Sequence, residues 1–253
     1  MNSSYTTIPP ALIARLASAQ SVVAFTGAGV SAESGVPTFR GPDGIWAKFK
    51  PEELASMDAF MRNPALVWEW YSHRRAIITS VHPNAGHLAL AAMEKLFRRV
   101  TVVTQNIDNL HRRAGSTRVF ELHGNIERSY CMQCGKKYPE VQTPERGAVP
   151  RCACGGTIRP DVVWFGEMLP EDEWEASVDA TTSADVFLSI GTSGVVYPAA
   201  SLPFLAKRSG AALIEINPEP TPLTGSADWF LQGTSGEFLP ALHQGVQQVM
   251  KKA

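Results

Sequence analysis

The chain has 253 residues, 44% of them hydrophobic and 19% charged, enough for one large domain or two modest ones around a sizeable buried core. A formal net charge of -1 sets it apart from a general nucleic-acid binder, so any contact with a basic protein tail must come from a local groove. No run approaches the roughly 18 apolar residues of a membrane span. The first residues, MNSSYTTIPP, lack the basic then apolar order of a secretory signal, so a cytoplasmic protein with reduced or metal-bound cysteines is expected, without nucleic-acid or membrane partners.

Apolar residues at helical spacing, Ile8, Leu12, Ile13 and Leu16, predict a helix from Ile8 to Ala19 at the edge of a sheet. Val22 to Phe25 reads as a buried strand running into Thr26, Gly27, Ala28 and Gly29, where two glycines permit a tight turn and a close approach of backbone to a ligand. Val30, Ser31, Ala32 and Glu33 then open a helix whose first N–H groups face back into the turn and attract phosphate oxygens. Gly35 to Gly44 is rich in turn formers and reads as a loop. Asn63 and Pro64 start a helix to about Thr79, and Pro83 and Asn84 start another through Leu88, Leu90, Met93 and Leu96.

Val100 to Thr104 and Arg118 to Leu122 are the next strands, and the turn-rich stretch from Glu127 to Val163 carries all four cysteines. Asp185 to Gly191 and Ala211 to Ile216 are apolar strands around a helix from about Tyr197 to Arg208. Trp229 to Gln232 is a last short strand and Gly236 to Lys251 a closing helix. The alternation predicts an α/β fold, a doubly wound parallel Rossmann-like sheet with a smaller inserted domain. Residues 1–37, 99–126 and 164–253 form the dinucleotide-binding domain. A helical insertion over 38–98 and a cysteine module over 127–163 form the small one. Ligands of such sheets gather at the carboxyl ends of the strands.

The loop after the first strand is also what an ordinary strand-to-helix turn looks like, and it departs from the usual dinucleotide unit. That unit reaches its second strand within about 30 residues and carries an acid for the ribose about 20 residues on. Here the next convincing strand ends in Gln105 and Asn106, so the ribose must be held differently. Cys131 and Cys134, then 17 residues, then Cys152 and Cys154 look like paired metal knuckles, the second with one spacer residue instead of two. Four thiolates leave zinc no open position, which points to a structural ion; the rival, a redox dithiol, lacks a supporting strand-to-helix context. His123 follows a strand and should project at its carboxyl end, although a lone histidine is often structural. Asn106 or Asp108 could equally cap the next helix. Tyr71 and Arg74, three apart, share a helix face and could bind one carboxylate, or else be a core tyrosine and a solvated arginine.

GAGVSAESGVPTFRG at 27–41, TQNIDNLH at 104–111, ELHG at 121–124, the four cysteines, FGE at 165–167, GTS at 191–193 and IN at 216–217 occur in the order seen in sirtuins, which this chain resembles over nearly its whole length. Sirtuins are NAD-dependent protein-lysine deacylases. The resemblance implies NAD as cosubstrate, held by Gly27, Ala28, Gly29, Ser31, Phe39, Arg40, Gln105, Asn106, Ile107, Asp108, Gly191, Thr192, Ser193, Asn217 and Ser235. It implies one structural Zn2+ on the four cysteines, and His123 as general base toward a hydroxyl of the nicotinamide ribose. By the same resemblance the acyl-lysine oxygen attacks C1′ of that ribose and expels nicotinamide, ending in free lysine and an O-acyl-ADP-ribose.

Tyr71 and Arg74 match the Y-x-x-R of the desuccinylating and demalonylating class, with Ala55 where that class keeps a small residue, and deacetylation is expected alongside. Val163, Phe165, Glu167 and Val195 fall where the family pairs with the substrate peptide, the acylated protein partner. An NAD-dependent mono-ADP-ribosyltransferase, a non-catalytic NAD sensor and a hydride-transferring dehydrogenase remain as rival readings.

Overall fold

The computed structural model describes residues 8–38, 51–139 and 147–252. In chain order the strands are β1 (Ser21–Thr26), β2 (Arg99–Thr104), β3 (Val119–Glu121), β4 (Gly124–Cys131), β5 (Lys137–Tyr138), β6 (Ile158–Val162), β7 (Val186–Ile190), β8 (Ala212–Asn217) and β9 (Trp229–Gln232). Six of them form one parallel sheet in the order β3-β2-β1-β7-β8-β9. The sheet grows in opposite directions from the junction of β1 and β7, the switch point at which doubly wound sheets bind nucleotides.

A parallel strand covered on both faces must be apolar throughout, and β1 is buried at every position. Its period of two divides those side chains. Val22 and Ala24 join a core with Leu12, Leu90, Met93, Leu239 and Leu242, while Val23 and Phe25 join a second with Phe187, Leu202 and Leu213. One face of the sheet is thus covered by the helices Pro10–Ala17, Ala85–Met93 and Ser235–Met250. The other is covered by Glu171–Thr182 and Leu202–Arg208. The helix Glu171–Thr182 escaped the sequence reading because it has no clear apolar stripe; Pro170 followed by three acids in its first turn was the available signal.

The described residues 51–98 divide in their packing. Ala85–Met93, capped by Asn84 through the backbone N–H groups of Gly86 and His87, lies on the main sheet. Pro64–Ser80, whose first turn is capped by the Asn63 side chain through the Leu66 N–H, packs Val67, Trp68, Tyr71 and Ile78 against Phe60, Ile158 and Trp164. Beside this helix lies a separate antiparallel sheet in the order β5-β4-β6, and the Trp68 indole donates to the Ile158 carbonyl 3.0 Å away. The chain leaves the main sheet for this one at Gly124, whose φ is +78° and whose missing Cβ would lie 2.2 Å from the Asp161 carbonyl oxygen. Only glycine permits that crossing, and it sets His123 between the two sheets.

Candidate active site

The loops after β1 and β7 are interlocked. The Gly27 N–H donates to the Ile190 carbonyl at 3.0 Å, and the Gly29 N–H to the Gly191 carbonyl at 2.8 Å. A Cβ on Gly29 would come within 2.7 Å of the Gly191 Cα. These glycines are needed for loop to meet loop, in addition to the ligand approach expected of them.

Beneath the loops lies a buried polar network. The Ser31 hydroxyl donates to Asp108 Oδ2 at 2.7 Å, accepts from Asn106 Nδ2 at 3.1 Å and faces His87 Nε2 at 3.4 Å. The Asn84 N–H reaches His87 Nδ1, so Nδ1 accepts and Nε2 carries the proton toward Ser31. That single hydroxyl is then saturated as donor and as acceptor. Asn106 Nδ2 also donates to the Gly27 carbonyl at 3.1 Å, fixing the β2 tip to the glycine loop. Asp108 Oδ1 accepts from the Leu110 N–H at 3.0 Å, although the residue at the cap of the short helix there is Asn109, and burial raises the Asp108 pKa. Burial holds His87 down at about 4 and His111, its rings 4.8 Å away, well below the usual histidine value.

His123 Nδ1 lies 3.0 Å from the Gln105 carbonyl oxygen. A carbonyl can only accept, so Nδ1 carries the proton and Nε2 is left with a lone pair. Burial lowers the ring's pKa against the opposing pull of that bond, which keeps the imidazole neutral at physiological pH.

A cavity of about 580 Å³ joins these parts. It is lined by Gly27, Ala28, Gly29, Gln105, Asn106, Ile107, His123, Gly191, Thr192, Ser193, Asn217 and Ser235, and by Ala55, Tyr71, Val163, Phe165 and Glu167. Ser31 and Asp108 lie behind the wall and order it; Arg74 is also buried behind it, its guanidinium 5.2 Å from the ring of Trp70, which does line the cavity. Val195 is exposed beside the lining residue Val196. Phe39 and Arg40 lie outside the described residues. The sequence reading missed Trp70 and Thr234 as lining residues, and His87 beneath the loop. For His87 the signal was its place three residues after a capping asparagine.

The four cysteine sulfurs lie within 4.8 Å of one another, with Cys131 to Cys154 at 3.5 Å and Cys134 to Cys152 at 3.6 Å. Zinc bound tetrahedrally at about 2.3 Å from each sulfur needs edges of roughly 3.8 Å, so the set fits one structural Zn2+. A Cβ on Gly156 would lie 2.6 Å from the Cys131 sulfur, so the cradle closes only around glycine. The Tyr138 hydroxyl donates to the Cys152 sulfur at 3.0 Å, the outer-shell partner that a thiolate ligand uses.

A model of the Sir2 family matches residues 27–198. The chain belongs to the Sir2 family. This sirtuin is 52% identical over 237 residues to NAD-dependent protein deacylase 2 of Pyrobaculum aerophilum, covering 93% of this chain and 95% of that one. It is 56% identical over 208 residues to the NAD-dependent protein deacylase of Aquifex aeolicus, covering 82% and 87%. Among solved structures, a Sir2 homolog bound to NAD superposes with a TM-score of 0.90 at 44% identity, covering 96% of each chain. A Sir2 complex with a deacetylated p53 peptide and 3′-O-acetyl ADP-ribose superposes at 0.84 and 35% identity, covering 96% and 97%.

The cavity of this sirtuin fits a dinucleotide. It lies across the switch point; Gln105 follows the β2 strand that ends without the usual ribose acid, and the amide of Asn217 and the hydroxyls of Ser193, Thr234 and Ser235 line the far side. Ser235 opens the closing helix, whose first turn is tied to Glu33 through the Gly236 N–H at 2.7 Å and the Thr234 hydroxyl at 3.0 Å. No helix among the described residues is long and apolar enough to cross a membrane.

Proposed function

We propose that this chain removes succinyl and malonyl groups, and acetyl groups as well, from protein lysine side chains at the expense of NAD. NAD-dependent protein-lysine deacylation is the activity of the family to which the chain belongs, and relatives named for it span nearly its whole length. The acidic-acyl preference is the further step. Bound NAD supplies the glycosidic bond that breaks as nicotinamide leaves, and an ADP-ribose that accepts the acyl group.

The observation that carries the preference is the state of the Tyr71 phenol at the cavity wall. Its oxygen accepts the Trp164 indole N–H at 2.9 Å, so its own proton is what remains to offer a ligand. Burial pushes its pKa well up, so it stays a neutral donor. Arg74, one helical turn on, is lowered by burial to about 10 and is still charged at neutral pH. A carboxylate at the end of an acyl chain would receive the phenol proton and draw the guanidinium forward from the face of Trp70. Ala55, also at the wall, leaves room for the longer acyl group.

In this reading His123 takes a proton at Nε2 from a ribose hydroxyl, its tautomer set by the Gln105 carbonyl. Ser31 and Asp108 act from behind the wall by holding Asn106, while Phe39 and Arg40 keep the cofactor role the family gives them. Val163, Phe165, Glu167 and Val195 face the substrate peptide, whose backbone pairing gives affinity with little sequence choice.

The test is mass spectrometry of succinylated and acetylated peptides incubated with the enzyme, with and without NAD. The double variant Tyr71→Phe, Arg74→Met is expected to abolish desuccinylation and to spare deacetylation. Equal loss of both activities would reject the acidic-acyl assignment.

A further inference from the structure

Arg159 is a guanidinium with only 1% of its surface exposed, on β6 of the small sheet, and it does not line the cavity. Nη1 and Nη2 grip the Glu167 carboxylate at 2.5 and 2.9 Å, and Nη2 also donates to the Val162 carbonyl at 2.8 Å. Its guanidinium carbon lies 3.4 Å from the centre of the Trp164 ring, with the Tyr130 ring at 5.3 Å. Glu167 in turn accepts the Trp164 backbone N–H at 2.8 Å, and the Trp164 indole donates to the Tyr71 hydroxyl.

Residues 162–167 are therefore a closed loop around one buried cation. At its start the Val163 N–H is held by the His123 carbonyl at 2.9 Å. Further on the Phe165 N–H is held by the Ala55 carbonyl, also at 2.9 Å. This loop is the part of the cavity wall that stands between His123 and Ala55. A bidentate, stacked guanidinium fixes both the plane of the carboxylate and the plane of the indole, which a lysine ammonium cannot do.

We propose that Arg159 is a positioning residue of the acyl-lysine channel: it holds the wall segment 162–167 in place and, through the Trp164 indole, aims the Tyr71 hydroxyl at the acyl group. The first half of this statement concerns any acyl-lysine. The second rests on the acidic-acyl reading of Tyr71 and Arg74.

The experiment measures KM and kcat for an acetylated peptide and for NAD in the variants Arg159→Lys and Arg159→Met, with zinc content and melting temperature followed alongside. Arg159→Lys keeps the charge and loses the fork; its peptide KM is expected to rise about tenfold while its NAD KM stays within about twofold and its zinc content at one per chain. Arg159→Met is expected to go further in the same direction; should it fail to fold, Arg159→Lys decides alone. Peptide and NAD KM rising together with zinc loss, or a peptide KM unchanged in Arg159→Lys, would overturn the proposal.

The second arm compares succinylated with acetylated peptide in Trp164→Phe, which removes the indole N–H. The succinyl to acetyl ratio of kcat/KM is expected to fall about tenfold, the scale of one directed hydrogen bond to a charged group. A ratio equal to wild type would refute the step from Trp164 to Tyr71. If the wild-type enzyme leaves succinylated peptide untouched, the acidic-acyl reading has failed and that step with it, while the acetyl-peptide KM still decides the role of Arg159.

Discussion

The buried imidazole of His87 makes the NAD loop a source of acid sensitivity, and the size of the effect follows from its surroundings. Both ring nitrogens are committed, Nδ1 as acceptor from the Asn84 N–H and Nε2 toward the Ser31 hydroxyl, so a second proton would cost the cap at Nδ1. In the folded chain burial holds its pKa at about 4, whereas in the unfolded chain the ring titrates near 6.5. Below pH 6.5 the unfolded state therefore binds the proton that the native state refuses, and stability falls as pH drops toward 4. Between pH 7 and pH 5 this one site removes about 2 kcal/mol. The variant His87→Gln cannot titrate. It should be less stable than wild type at pH 7, because the Ser31 network is broken, and the gap should narrow by about 2 kcal/mol by pH 5. His111 is lowered first by burial and second by the neighbouring His87, so the difference reports mainly His87, with a smaller contribution from the relaxed His111. The assay is urea unfolding followed by far-UV circular dichroism from pH 5 to 7.5 in zinc-containing buffer. Parallel curves for the two proteins would refute the reasoning.

His123 gives a second pH expectation, this time in catalysis. Because burial lowers its pKa, the acid limb of kcat/KM for the peptide should have its midpoint below pH 6.5, and a midpoint at or above that value would count against His123 as the base. For the cysteine cluster, Cys134→Ser should bring bound zinc below one per chain by metal analysis and lower the melting temperature by about 10 °C. An unchanged melting temperature in a zinc-free variant would remove the structural role.

The main sheet was legible because parallel strands buried on both faces announce themselves as apolar runs, and β1, β2, β7 and β8 each fall within a residue or so of their expected limits. The small sheet was not. β4 alternates Ser129 and Cys131 with partly exposed residues and carries an irregularity between Gly124 and Ser129, and β5 has only two residues, so neither shows the pattern by which strands are read. Most of the cavity-lining residues were legible through motifs at strand ends. Trp70 and Arg159 were not, since nothing local separates an aromatic facing a cavity from one in a core, or a buried arginine from a solvated one. What makes Arg159 special is Glu167, eight residues away across a turn, and that pairing exists only in three dimensions.

The glycine loop shows that one motif can serve two purposes. Gly27 and Gly29 were expected to allow a tight turn and to let backbone approach a ligand. Yet both of their N–H groups are spent on Ile190 and Gly191. Ser31, next in the motif, is spent on Asp108 and Asn106, and Glu33 on the start of the closing helix. Each residue thus ties the end of β1 to a different part of the chain, to β7, to the β2 tip and to the helix Ser235–Met250. Those ties are formed when the protein folds, so these parts of the wall are fixed before any ligand arrives and their ordering is not charged against binding. The motif therefore requires small residues where loops interlock and polar ones where the wall is tied together. A ligand meets the surface that this arrangement leaves, which is why replacing Ser31, a residue that does not line the cavity, should still weaken NAD binding.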